Sequence, residues 1–341
     1  MSYALGIDTS NYKTSIALID KLDNIVYDDR LYLRVNEGEK GLRQQEALFQ
    51  HVNRLPRMVK NVFDTIRELG EDYIDIIAVS DKPRCVEGSY MPCFLAGVSI
   101  GKTLSASLNV PMVTFSHQQG HIEAGKRFTP LKDKKEYIAF HFSGGTTEAL
   151  KCNMNSIEII GGTKDISFGQ LIDRVGVAMG YYFPSGEEID YGAIRASSGD
   201  IIFNNGEATA YALPNEAEKL FKEIPKVKVQ DPYINLSGLE TWLLRHIETI
   251  NTDEEKNRDM ISLILLTEIG DTILKMMTVI SDKEGMKDFL FVGGVSASSY
   301  LRSYIEQEGK RKGFNVCFSS PDLASDNAVG IAFLGGDSIW L

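Results

Sequence analysis

YALGIDTSNYKTSIALID, residues 3–20, is an apolar run, a polar turn and a second apolar run. Apolar residues flanking a turn of Asp, Thr, Ser and Asn read as two strands joined by a hairpin. YIAFHFSGGTTEALKCN, residues 137–153, repeats that shape around a small, hydroxyl-bearing turn. Between the two, residues 46–69 predict a helix, 74–80 a strand, 94–109 a helix and 111–115 a strand. Beyond the second hairpin, 239–250 and 260–280 predict helices, 288–294 a strand and 298–309 a helix. An α/β pattern opened twice by the same hairpin implies a duplicated fold with a cleft between its halves.

A chain of 341 residues is long enough for two such halves, each with its own apolar core. Hydrophobic content of 43% and charged content of 24% are those of a globular protein. No apolar run reaches membrane-spanning length, and the first residues lead straight into a strand, so a cytoplasmic protein without a membrane partner is expected. Cys85, Cys93, Cys152 and Cys317 are scattered without CxxC spacing, which indicates reduced thiols. The net charge of −11 argues against a chain that coats nucleic acid, and no DNA partner is expected. KDKK (132–135) and KRK (310–312) are the compact basic runs, read as solvated loop charge.

HQQGH, residues 117–121, follows the strand ending near Phe115. On a helix, His117 and His121 share one face, close enough to hold one cation; packing histidines are the bland alternative. A zinc peptidase needs a general base directly after the first histidine, and Gln118 cannot take a proton. SGGTT (143–147) and FVGGVSAS (291–298) place Gly-Gly at strand ends, where backbone amides can reach a phosphate or simply make a turn. Asp173 lies inside a helix of GQLIDRVGVAMGYYFPSG (169–186), as a surface carboxylate or a ribose ligand. In SSPDLASDNAVGIAFLG (319–335), a loop precedes a short helix that Ser325 can cap, leaving Asp326 at its positive end.

In this order the motifs resemble, almost end to end, the TsaD family of threonylcarbamoyl transferases, once labelled glycoprotein endopeptidases. GIDTS, HQQGH, SGGTT, GQLIDRVG, FPSG, NLSGLET, GGVSASSYLR and SDNAVGIA stand where that family has its own signatures. The resemblance implies an α/β actin-like ATPase fold with two duplicated ribonuclease-H-like halves and a nucleotide and metal cleft between them. It places residues 1–115 with 322–341 in the first half, and 116–321, with a helical insertion, in the second. It implies that His117, His121 and Asp326 hold one divalent metal, iron or zinc, and that the metal faces an ATP- or AMP-type nucleotide or an acyl-adenylate. Ser143, Gly144, Gly145, Thr146, Asp173, Gly186, Asp190, Gly293, Gly294 and Ser298 would hold that ligand. Asp8, Ser10 and Lys13 are the candidates for catalysis.

The departures from the family pattern matter. CDET is NYKT here, so an acid becomes Lys13; the acids of HMEGH and GEAFDK become Gln119 and Gln170; the His of SGGHT is Thr146. GPGL becomes EGSYMP (87–92), a Lys becomes Arg174 and an Asn becomes Ser298. A site so altered is expected to accept more negative charge on its ligand or to have lost a proton-transfer step. By resemblance the function is transfer of a threonylcarbamoyl group from an acyl-adenylate to N6 of a tRNA adenosine beside the anticodon, with TsaB- and TsaE-like partner subunits. Carbamoylation of a small molecule, and a nucleotide-binding subunit without chemistry, are the alternatives.

Overall fold

The computed structural model describes residues 2–10, 12–34, 42–70, 73–153, 156–197, 203–204, 207–208, 215–324 and 326–340. The chain divides into two compact units, Met1–Phe128 with Ser320–Leu341, and Thr129–Ser319.

The first unit contains β1 (Ser2–Thr9), β2 (Lys13–Asp20), β3 (Ile25–Tyr32), α1 (Gln44–Glu68), β4 (Tyr73–Lys82), α2 (Phe94–Leu108), β5 (Met112–Ser116) and α3 (His117–Arg127). Its five strands run in the order β3-β2-β1-β4-β5. The quoted hairpin is the antiparallel β1–β2 pair, with Asp8 opposite Ser15, while β4 and β5 continue the sheet in parallel. Side chains alternate across β1: Tyr3, Leu5 and Ile7 meet Leu55, Met58 and Val62 of α1, whereas Ala4 faces Ala328, Ala332 and Phe333. The apolar residues of α1 recur every three or four positions, giving it one buried stripe against the sheet.

The second unit begins with β6 (Glu136–Phe142), β7 (Thr147–Asn153), β8 (Ile157–Thr163), α4 (Phe168–Ala178) and α5 (Gly186–Ser197). It continues with the two-residue pair β9 (Phe203–Asn204) and β10 (Glu207–Ala208), then α6 (Asn215–Glu223), β11 (Tyr233–Ile234), α7 (Ser237–Ile247) and α8 (Glu255–Glu284). After β12 (Asp288–Val292), a 3-10 turn at Gly294–Ala297 leads to α9 (Ser299–Arg311) and β13 (Asn315–Phe318). The strand order β8-β7-β6-β12-β13 repeats that of the first unit, with β11 added outside β8. Phe140, Phe142, Phe168, Phe289 and Phe291 pack ring against ring at the centre, and α8 runs buried on nearly every side.

The chain returns to the first unit through α10 (Pro321–Ala324) and α11 (Val329–Trp340). The division falls after Phe128 rather than after residue 115, so α3 belongs with the first sheet. The physical reason is a backbone-to-backbone crossing of α3 and α11. A Cβ on Gly330 would lie 1.9 Å from the Gly120 carbonyl oxygen, so the helices approach more closely than any side chain permits. At the start of α11, Asn327 Oδ1 accepts the amides of Val329 at 3.0 Å and Gly330 at 3.4 Å. The proposed cap Ser325 lies outside the described residues. Among the described residues no helix is long and apolar enough to cross a membrane.

Candidate functional site

Ser116 ends β5 and begins α3 with a capping box: its hydroxyl accepts the Gln119 amide, and the Gln119 side chain accepts the Ser116 amide at 2.8 Å. The helix then carries His117 and His121 on one face, and the α3–α11 crossing brings the loop containing Asp326 against them. His121 Nε2 lies 3.0 Å from His117 Nε2 and 3.2 Å from Asp326 Oδ1, and His117 Nε2 lies 3.4 Å from the same oxygen. A tetrahedral cation with bonds of about 2.1 Å holds its ligands about 3.4 Å apart, so this spacing suits one.

The outward-facing atoms are held as well. His117 Nδ1 donates to Asp8 Oδ1 at 3.0 Å, which leaves the Nε2 lone pair directed inward. Ser10 Oγ donates to Asp326 Oδ2 at 3.2 Å, which leaves Oδ1 for the centre. Asp8 is fully buried, and the Ser10 amide donates to its Oδ2 at 3.4 Å. Burial opposes charge on Asp8, but the facing His117 outweighs it and holds the carboxyl below its ordinary range. Burial likewise opposes charge on His117, yet Asp8 and Asp326 together push the imidazole up to about 10. Asp326 is held well below its ordinary value, burial being outweighed by the two histidines. Without a cation, His117 is therefore an imidazolium between two carboxylates; a divalent ion would replace its proton. Two imidazoles and one carboxylate are donors that suit iron or zinc and leave coordination positions open.

Of the residues considered for catalysis, Asp8 and Ser10 are both engaged in holding His117 and Asp326. Lys13, only 4% exposed, sets its ammonium 4.4 Å from the centre of the Tyr32 ring. It shares a strand face with Ser15, the partner of Asp8 across the hairpin.

In the second unit, SGG and GG close the ends of the neighbouring parallel strands β6 and β12. Ser143 and Thr146 tie the first turn together, the Thr146 amide donating to Ser143 Oγ at 3.1 Å. Ser167, the cap of α4, donates to the Gly144 carbonyl at 2.7 Å, which sets the α4 N-terminus against that turn. Gly293 adopts φ +93°, and a Cβ there would lie 2.4 Å from the Phe142 carbonyl oxygen, so only glycine fits between the strands. Space is open around Gly144, Gly145 and Gly294. Amides at the carboxyl ends of adjacent parallel strands, beside a helix N-terminus, can receive a phosphate.

The remaining residues expected around a nucleotide are engaged within the unit. Asp173 Oδ1 accepts the Ser185 amide at 2.8 Å, next to Gly186 at the start of α5, and burial raises its carboxyl. Asp190 accepts the Ser298 hydroxyl and the amides of Ser299 at 2.8 Å and Tyr300 at 3.0 Å. Ser298 in turn accepts the Leu301 amide, so the pair caps α9. Gln170 forms a capping box with Ser167, as Gln119 does with Ser116. Both glutamines thus do a structural job that needs a side-chain oxygen and no titratable proton. Serine three residues before each glutamine was the signal in the sequence. His51, which contacts Ser10, and Ser80, which contacts Asp8, carried no such signal.

Over its whole length the chain is similar to tRNA N6-adenosine threonylcarbamoyltransferases. The Fervidobacterium nodosum protein is 29% identical, covering 98% of this chain and 93% of the relative. The Thermosipho africanus protein is 27% identical, covering 97% and 92%. Among solved structures, HypF from T. kodakarensis superposes with TM-score 0.52 at 14% identity, over 99% of this chain and 48% of that one. Component A of (R)-2-hydroxyglutaryl-CoA dehydratase from Acidaminococcus fermentans gives 0.51 at 12% identity over 99% of both chains. These likenesses concern the fold alone, which is that of the actin-like ATPases. The model of the family TsaD, tRNA N6-adenosine threonylcarbamoyltransferase, matches residues 34–333, and the chain belongs to that family.

Proposed function

We propose that this protein transfers a threonylcarbamoyl group from an acyl-adenylate to N6 of a tRNA adenosine beside the anticodon. The observation that carries the reading is the convergence of His117, His121 and Asp326, each with its outer atom or its helix held so that a lone pair points inward. In a chain of this family that constellation supports one divalent metal, iron or zinc.

The amine nitrogen attacks the carbamoyl carbon, the carbon–oxygen bond to the phosphate breaks, AMP leaves with the electron pair, and the proton shed by the nitrogen passes to the departing phosphate or to solvent. A bound divalent cation supplies positive charge to oxygens on which charge develops. Asp8 fixes the tautomer of His117, and Ser10 fixes the orientation of Asp326. The open amides of Gly144, Gly145 and Gly294 suit the adenylate phosphate. The replacements at Gln119 and Gln170 preserve helix caps and leave this scheme intact. The acidic balance of the chain favours tRNA delivery with help from TsaB- and TsaE-like subunits, in the cytoplasm.

The test supplies threonylcarbamoyl-adenylate and tRNA to the metal-loaded protein, with and without such subunits, and reads the modified nucleoside by mass spectrometry. Product that depends on metal and is lost in His117→Ala is expected. AMP release without modified tRNA would transfer the reading to another acceptor.

A further inference from the structure

We infer that His51 is a positioning residue of the metal centre, acting through Ser10. The inference rests on the metal reading above. His51 lies on α1, fully buried and away from the cation-facing atoms. Its Nε2 is 2.9 Å from the Ser10 carbonyl oxygen, which can only accept, so Nε2 carries the proton. A neutral ring then has a lone pair on Nδ1, and the Thr14 hydroxyl donates to it at 2.9 Å. Burial pushes the imidazole down to about 4, which keeps the ring in this neutral form.

Ser10, only 3% exposed, commits all three of its polar groups. Its carbonyl receives His51, its amide holds Asp8 and its hydroxyl holds Asp326. Asp8 in turn holds His117. Two of the three cation-facing groups are therefore oriented through one residue whose backbone is set from α1. A mere staple between α1 and the β1–β2 hairpin would use the same two His51 contacts but would leave cation affinity unchanged.

The experiment measures Zn²⁺ affinity of the full chain by chelator competition, with thermal midpoints in parallel. His51→Phe, which keeps a flat ring but no donor, should bind Zn²⁺ about tenfold more weakly, the scale of an outer-shell loss. His51→Gln, whose amide can again donate to the Ser10 carbonyl, should recover most of that loss. In a Ser10→Ala background the His51→Phe effect should shrink to about threefold, since the hydroxyl route to Asp326 is already cut while the backbone amide still holds Asp8. Wild-type affinity in His51→Phe, with only the thermal midpoint lowered, overturns the inference; so does an undiminished effect in Ser10→Ala. If His51→Phe does not fold, Thr14→Val carries the test, with about threefold weaker binding expected and unchanged binding overturning it. His117→Ala separates the two readings: equal Zn²⁺ binding by it and the wild type would remove the metal centre itself, and this inference with it.

Discussion

His117 Nδ1 and Asp8 Oδ1 lie 3.0 Å apart, joining residues from the first strand and the third helix of one unit. The contact turns a buried carboxylate into the support of a histidine whose other nitrogen faces His121 and Asp326. His117→Ala, His121→Ala and Asp326→Ala should each abolish tight metal binding. Asp8→Asn should keep the metal but weaken it by about 10- to 100-fold. Elemental analysis after dialysis, followed by chelator competition, distinguishes loss from weakening.

The same contact predicts the pH dependence of metal uptake. His117 is held up to about 10, so throughout the neutral range a cation must displace its proton. Apparent affinity should fall about tenfold for each pH unit lowered from 8 to 6. Titration in weak buffer should show a proton released on binding. A pH-independent affinity would mean that the cation does not bind at His117.

Stability should respond to pH through a different histidine. His51 is depressed to about 4 in the folded protein, while an unfolded histidine titrates near 6.5, so the unfolded state binds the extra proton first. Its contribution is fully present above about pH 6.5 and declines as pH falls toward 4, by at most about 3 kcal/mol. Urea midpoints of metal-free protein between pH 7 and 4 measure the decline. In His51→Gln the slope over that window should be shallower.

Alternating apolar runs revealed the paired hairpins, and the motifs in their order revealed the family. The third strand of each sheet escaped notice for a physical reason. IVYDDRLY of β3 lies at a sheet edge and is interrupted by the charges of Asp28, Asp29 and Arg30, so it lacks the buried run that marks β1. That His117 and His121 share one helix face was legible because a helix converts spacing into a face. Asp8 stood among the candidates for catalysis, but its hold on His117 and the contact of His51 with Ser10 were not legible, because they depend on tertiary approach across 109 and 41 residues. Gln119 and Gln170 looked like lost acids until their serine partners were seen at helix starts.

Gly330→Ala tests what brings the ligands together. The added methyl meets the Gly120 carbonyl at 1.9 Å, and neither helix backbone can yield locally. A cost of about 3 kcal/mol or more is expected, at the upper end for overpacking. Because His121 and Asp326 flank this crossing, metal content should fall with it. Gly144→Ala is the contrast: its Cβ meets nothing within 4 Å, so the thermal midpoint should hold while AMP affinity falls. Unchanged AMP binding in Gly144→Ala would place the nucleotide elsewhere.

Gln170 gives the sharpest test of whether the departures from the family pattern are functional. Its side-chain oxygen accepts the Ser167 amide at 3.2 Å, while Ser167 Oγ holds the Gly144 carbonyl at 2.7 Å. Glutamate at this position can make the same bond and adds charge at a helix N-terminus, so Gln170→Glu should fold with stability within about 0.5 kcal/mol of wild type. Gln170→Ala removes the reciprocal half of the cap and should cost about 1 kcal/mol. If the side chain serves the cap alone, nucleoside formation should follow stability: near wild type in Gln170→Glu and modestly reduced in Gln170→Ala. A large gain on restoring the acid, with stability unchanged, would show instead that a proton-transfer step had been weakened. Because the cap also sets the SGG turn, AMP affinity in Gln170→Ala should drop in parallel with its thermal midpoint.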